Sequence, residues 1–161
     1  MLQPGEHPFP TKYAIRNATI RIEPSIYLDA LVRDFLLWGG RIIIRKFDDP
    51  RDLMTLGEPI LVNCTGLGAR DLFGDQELVP LKGQLTVLVP QPEVNYHTQG
   101  GLRPRPERPG SLAIHMMPRS DGIALGGTSQ RGVWTLEPDD EERRRIVDSH
   151  IEVFAAMKTL R

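Results

Sequence analysis

The chain has 161 residues, 40% hydrophobic and 25% charged, and its 20 basic and 21 acidic residues leave a net charge of −1. That length can enclose one ordinary core, and the balanced charge excludes a surface steered toward nucleic acid or an anionic membrane. The single cysteine, Cys64, excludes an internal disulfide and a cysteine cluster for metal, and fits a reducing, cytoplasmic setting.

Residues 1–12 read as an extended, proline-rich entry segment, too polar for a secretory signal. Residues 13–23 alternate partly and predict a strand. Pro24-Ser25 opens a helix, with proline where its missing N–H costs least. Ile26, Leu28, Leu31, Val32, Phe35 and Leu36 form the helix's apolar face, and Gly39-Gly40 ends it. The β-branched run 41–47 (RIIIRKF) predicts a strand, followed by a helical turn near residues 50–56. A second strand over 60–64 should lie beside the first. Further strands are predicted at 82–89, 111–117 and 122–126, with the proline- and glycine-rich segment 91–110 as a long loop. Asp139-Asp140 starts a last helix running to about Leu160, with acids at its N-terminus and Lys158 and Arg161 at its end. Nowhere does an apolar run near the ~20 residues of a membrane-spanning helix.

The strand 60–64 ends on Asn63-Cys64-Thr65-Gly66, with Gly68 two residues on. Small residues between a strand and a helix let a ligand approach the backbone, and free N–H groups there favour an anion. The pattern is only GxG, because Asp71 stands where the dinucleotide fingerprint has its third glycine. A tight turn without a ligand is an equal reading of these residues alone. A thiol ending a buried strand is usually a small hydrophobe. His7, His97 and His150 fall in a tail, a loop and a helix without metal-ligand spacing, and read as solvated or structural. Arg103, Arg105 and Arg108 read as a solvated loop. The run Arg143-Arg144-Arg145 after Glu141-Glu142 reads as charge pairing along a helix, and Trp134 as packing.

Four words of the sequence, in order, resemble the D-amino-acid oxidase family of FAD-dependent oxidoreductases: GGRIIIRKF, LVNCTG, PLKGQ and HMMPRSDGIALGGTSQRGVW. The step of 18 residues from Phe47 to Thr65 fits the same family. The resemblance covers roughly residues 20–157. It implies that Lys46 and Phe47 lie at the adenine end of FAD, through the backbone, and that Cys64, Thr65 and Gly66 face the ADP half. It implies that the sheet between Lys82 and Trp134 roofs the flavin and shapes the substrate pocket. His115 then contacts substrate, at a position where the family often carries a tyrosine. Ser111 stands at a second such position.

The fold implied is α+β. Residues 1–80 form part of an FAD-binding α/β segment, 81–136 a mixed β-sheet with a loop, and 137–161 a C-terminal helix. The family's GxGxxG unit and its substrate-clamping arginine have no match in this sequence, so the chain resembles the centre of an oxidase. Two classes stay open. One is an oxidase of amines or D-amino acids with O₂ as acceptor, inactive as this isolated chain. The other is a non-catalytic module that keeps the sheet. No catalytic side chain and no metal ligand is assigned, FAD binding by the chain alone should be weak, and an uncovered apolar face should favour self-association.

Overall fold

The computed structural model describes residues 1–102 and 112–157. In chain order its elements are helix α1 (Pro24–Leu37), a 3₁₀ turn (Pro50–Thr55), helix α2 (Gly68–Phe73), strands β1 (Leu81–Lys82), β2 (Thr86–Leu88), β3 (Thr98–Leu102), β4 (Leu112–Arg119), β5 (Gly122–Gly126) and β6 (Gln130–Arg131), and helix α3 (Asp140–Ala155). Helices together with antiparallel sheets make the fold α+β. The chain divides into two compact units. The first takes the described residues of Met1–Pro24, Gly83–Ser129 and Leu136–Arg161, and the second takes Ser25–Lys82 and Gln130–Thr135.

The first unit is built on a four-stranded sheet in the order β2-β5-β4-β3. Every pairing in it is antiparallel, which corrects the expected mixed sheet. The reason is connectivity. Ser120-Asp121 turns β4 straight back into β5, and so short a link can join only antiparallel strands. Alternation along the strands puts Ile114, Met116, Ile123 and Leu125 on one face. There they pack with Ile146 of α3, and Val94, Leu102, Val153 and Phe154 close the edge.

Helix α3 starts as its sequence dictates. The Asp139 carboxylate caps it by accepting from the N–H groups of Glu141 and Glu142, at 3.0 and 3.1 Å. Asp140, Glu141 and Glu142 place negative charge at the positive end of the helix. Its last helical residue is Ala155, and the predicted stretch to Leu160 runs into residues 158–161, outside the described ones.

The second unit holds α1, the 3₁₀ turn, α2 and the two-stranded ladder of β1 with β6. The end of α1 is a Schellman motif. Gly39 takes φ 87°, its N–H donates to Leu36, and the Gly40 N–H donates to Phe35. Asp49 and Asp52 form a capping box on the 3₁₀ turn.

Among the described residues, three predicted strands are absent. Residues 41–47 and 60–64 take no regular secondary structure, and no ladder pairs them with each other or with another described segment. Residues 13–23 are likewise unpaired, apart from an isolated bridge between Leu2 and Ala14. A β-branched run pairs only when neighbours complete its hydrogen bonds and cover its faces, and here Ile43, Ile44, Ile60 and Val62 are exposed. The predicted strand 82–89 splits into β1 and β2 at Gly83, its halves in different sheets. Inside the predicted loop, β3 pairs with β4 from Thr98 to Leu102. Its Gly100 and Gly101 carry no apolar alternation, which hid it.

Candidate functional site

The glycine turn of the second unit is held by its own side chains. Asn63 Oδ1 accepts from the Thr65 N–H at 3.1 Å and from the Thr65 hydroxyl at 2.7 Å. This small ring fixes the local turn that leads into α2. Gly66 sits at φ 55°, a conformation that favours glycine, and a methyl group placed on it would meet nothing within 4 Å. The N–H groups of Gly68, Ala69 and Arg70 close the first turn of α2 by donating to Thr65, Gly66 and Leu67, at 3.0 to 3.1 Å. Cys64 is exposed, not buried as expected, because the segment it ends lacks covering neighbours.

Arg70 fixes the loop after α2. Its guanidinium donates to the carbonyls of Gln76 and Leu78, at 3.1 and 2.7 Å, and to the Gln76 side-chain oxygen at 2.7 Å. The same group lies 5.5 Å from the centre of the Trp134 ring. Gly132 N–H donates to the Pro80 carbonyl at 2.8 Å, so this loop is tied to the β1–β6 ladder. Sequence reasoning passed over Arg70. An arginine two residues past GxG, before a carbonyl-rich loop, was its only signal.

Lys46 and Phe47 lie in the same unit and are held locally. The Lys46 ammonium pairs with Asp48 at 2.5 Å, and that hydrogen bond raises its pKa above the ordinary lysine value. Arg45 lies over the half-buried Phe47 ring, 5.1 Å from its centre, and donates to the Thr55 hydroxyl at 2.8 Å. No described hydrogen bond, ion pair or ring contact joins Lys46 or Phe47 to Cys64, Thr65 or Gly66. A shallow groove along α1, lined by Asp29, Val32, Arg33, Leu36 and Leu37, contains none of these residues.

His115 belongs to the first unit. It sits on β4 opposite Gly126 and Gln99, on the face away from Ile114 and Met116. Its ring lies directly over Gly126. A methyl group on Gly126 would collide with the ring and stand 2.8 Å from a Leu85 methyl. Gly127 takes φ 135°, and a side chain there would strike the Ala113 carbonyl oxygen. The two glycines of LGGT therefore have separate reasons: one seats a ring, and the other lets two backbones meet. Ser111, Arg103, Arg105 and Arg108 lie outside the described residues.

Behind this face, three words of the sequence converge. The Gln84 side chain donates to the Asp139 carbonyl at 2.9 Å and accepts from the Asp139 N–H at 2.8 Å. Gln84 N–H donates to the Thr128 hydroxyl, which donates back to the Gln84 carbonyl at 3.2 Å. KGQ, GGT and the cap of α3 are thereby one hydrogen-bonded unit. His150, expected to be solvated or structural, is a buried structural residue with 3% of its surface exposed. Its Nδ1 faces the Ile146 carbonyl at 2.8 Å, and its Nε2 faces the His115 carbonyl at 3.1 Å. His7 is also buried, at 6% exposure, stacked 6.4 Å from Phe9. Neither ring nitrogen of His7 has a hydrogen-bond partner among the described residues.

Comparison with known proteins adds a relationship to this geometry. The family described as FAD dependent oxidoreductase matches residues 2–161. The human D-aspartate oxidase is 34% identical over 129 residues, 80% of this chain and 35% of that protein. A D-amino acid oxidase of Dugesia ryukyuensis is 30% identical over 145 residues, 87% of this chain and 40% of that protein. A D-amino-acid oxidase of Streptomyces coelicolor is 32% identical over 126 residues, 78% of this chain and 37% of that protein. The chain thus spans well under half the length of these relatives. No helix among the described residues is long and apolar enough to cross a membrane.

The turn at Cys64–Gly66 offers an exposed thiol and a glycine with open space beside it, while the Thr65 N–H and hydroxyl both donate to Asn63 and leave the hydroxyl oxygen to accept. What fits FAD here is room for a dinucleotide beside the Gly66 backbone, and not a set of free donors.

Proposed function

From a chain that belongs to the D-amino-acid oxidase family of FAD-dependent oxidoreductases, we infer a protein that oxidises an amine or D-amino acid with O₂ as acceptor. FAD, when bound, supplies the acceptor for the hydride leaving the amine-bearing carbon, and its electrons pass on to O₂ to give hydrogen peroxide. The observation that carries the reading is the exposed small-residue turn at Cys64–Gly66 within a family match over residues 2–161.

In this reading the backbones of Lys46, Phe47, Cys64, Thr65 and Gly66 hold the ADP half of FAD. Asn63 keeps the turn in shape by fixing Thr65. His115 lines the substrate pocket, oriented by its seat over Gly126 and Leu85. Residues 1–80 serve the cofactor and 81–136 the substrate, and α3 braces the sheet. No general base from this chain enters the reaction. A cytoplasmic setting, and self-association through the apolar surface of the second unit, belong to the same reading.

The isolated chain binds FAD weakly and produces no peroxide. Its sequence has no GxGxxG unit, and one-sided backbone contacts do little against the ~4 kcal/mol or more lost on immobilising a ligand. The test is a flavin-fluorescence titration of the 161-residue chain, beside peroxide production from D-amino acids by a protein of the relatives' full length that carries it. The long protein should retain flavin and produce peroxide. Tight stoichiometric binding by the short chain overturns the one-sided contact, and a flavin-free, inactive long protein overturns the oxidase reading.

A further inference from the structure

We propose that His150 is a positioning residue for His115. Holding the His115 carbonyl from the far face of the sheet, it sets where the His115 imidazole stands. The inference rests on the reading that His115 lines the substrate pocket.

The two histidines come from distant parts of the sequence and meet through one peptide group. His115 projects from β4 over Gly126, while its carbonyl oxygen lies 3.1 Å from His150 Nε2. The His150 ring is itself firmly placed. It is 97% removed from solvent by packing on α3 and the core, and it stacks on Phe154 at 6.3 Å with 15° between the planes. Its Nδ1 is 2.8 Å from the carbonyl of Ile146, the most buried side chain of the core. Both ring nitrogens therefore face oxygens that only accept. A ring with one proton can donate to one of them, and a ring with two protons to both. The positioning role requires the proton on Nε2.

The seat of His115 is intolerant of displacement. Its ring already fills the space a Cβ on Gly126 would take, and a Leu85 methyl closes the same space. A small movement of the β4 peptide therefore redirects the ring. The ladders with β3 and β5 hold β4 within the sheet, and α3, whose other end is held by the Gln84 clamp on Asp139, adds a hold on the His115 peptide from the core face. In this arrangement α3 reaches the strand bearing the candidate substrate residue through the polar contact of His150.

The test uses the full chain, isotopically labelled, and three side chains at position 150. Wild type should show Nε2 protonated, with a through-hydrogen-bond coupling to the His115 carbonyl carbon. It should also show a ring-proton contact between His115 and Gly126. His150→Leu keeps the bulk and removes the donor, and should weaken the His115–Gly126 contact by more than about half. His150→Gln restores an N–H donor and should restore the contact. A wild-type ring unprotonated at Nε2 overturns the proposal without any variant. A folded His150→Leu with an unchanged His115–Gly126 contact overturns it as well.

The flavin-loaded, full-length enzyme then separates the two readings. His150→Leu should lower kcat/KM about tenfold, as a slightly misplaced pocket group does, with His150→Gln largely rescued. Lost His115–Gly126 contact with unchanged kinetics for every substrate overturns the pocket reading of His115, while the spectroscopic result upholds the positioning role.

Discussion

The two units of this chain use their apolar residues in opposite ways. In the first, Ile114, Met116, Ile123, Leu125 and Ile146 are buried together. In the second, helix α1 carries Ile26, Leu28, Leu31, Val32, Phe35 and Leu36 on a regular apolar face and buries none of its residues. Ile44, at the end of a three-isoleucine run, is 100% exposed. The difference is one of topology. In the first unit β4 turns straight back into β5, β2 and β3 flank that hairpin, and one amphipathic helix covers the face. Extended β-branched segments that are apolar on both sides need strands beside them and layers above and below. Each such side chain left in water forgoes about 1.5–3 kcal/mol of burial.

The sharpest way to break the first unit is at its closest backbone approach. Gly127→Ala should cost about 4 kcal/mol or more, because a collision with a backbone carbonyl is added to an unfavourable φ. Urea unfolding of the chain would read it, and a loss under about 1 kcal/mol would deny that the two backbones meet there. Next comes the contrast between two isoleucines. Ile146→Ala, at 1% exposure, should cost about 3 kcal/mol. Ile44→Ser should change stability by less than about 0.5 kcal/mol and shift the chain toward monomer in light scattering. Equal effects from the two would erase the distinction between the units.

A smaller effect sharpens the role assigned to the second unit. Thr65→Tyr, which crowds an open turn, should weaken flavin retention by the full-length protein about tenfold, a difference of ~1.4 kcal/mol. It should leave the melting temperature of the chain nearly unchanged. Unaltered flavin content would remove the turn from the cofactor site.

The smallest effect lies at the surface of the first unit. Glu23 accepts from the Ser120 N–H at 3.2 Å and from the Ser120 hydroxyl, and Arg21 pairs with it at 2.8 Å. The Ser120 hydrogen bond, more than the charge of Arg21, holds its carboxyl below the ordinary carboxylate range. The folded pKa therefore lies under the unfolded one. The contribution is complete above the ordinary carboxylate value and fades as pH falls through the depressed one. Melting curves from neutral pH into acid should show Glu23→Gln flatter than wild type in that window. Glu23 is half-buried at the surface beside an exposed Arg21, so the shift in melting temperature should be slight, and superimposable curves would deny the tie.

Much of the local structure was legible. The boundaries of α1 follow from Pro24 and Gly39-Gly40, the start of α3 from Asp139, and the 3₁₀ turn from Asp49-Pro50. Each depends on residues within a turn of one another. Strands β4 and β5 were legible from alternation, and the family from words that keep their order. The GxG turn was legible as a turn, yet not as an exposed one. What escaped was every feature made by distant pairing: β3 without apolar alternation, the absent ladder for residues 41–47 and 60–64, Arg70 reaching Trp134, and His150 reaching the His115 carbonyl.

By itself, the sequence determined where helices begin and end, which strands alternate, and to which family the chain belongs, because capping, periodicity and ordered motifs are written in neighbouring residues. The tertiary structure alone decided which apolar segments are covered, why glycine stands at 126 and 127, and that the ring of one histidine meets the peptide carbonyl of another. Burial and close approach are properties of pairs far apart in the chain, and a pair acquires its energy only when folding brings both members to one place.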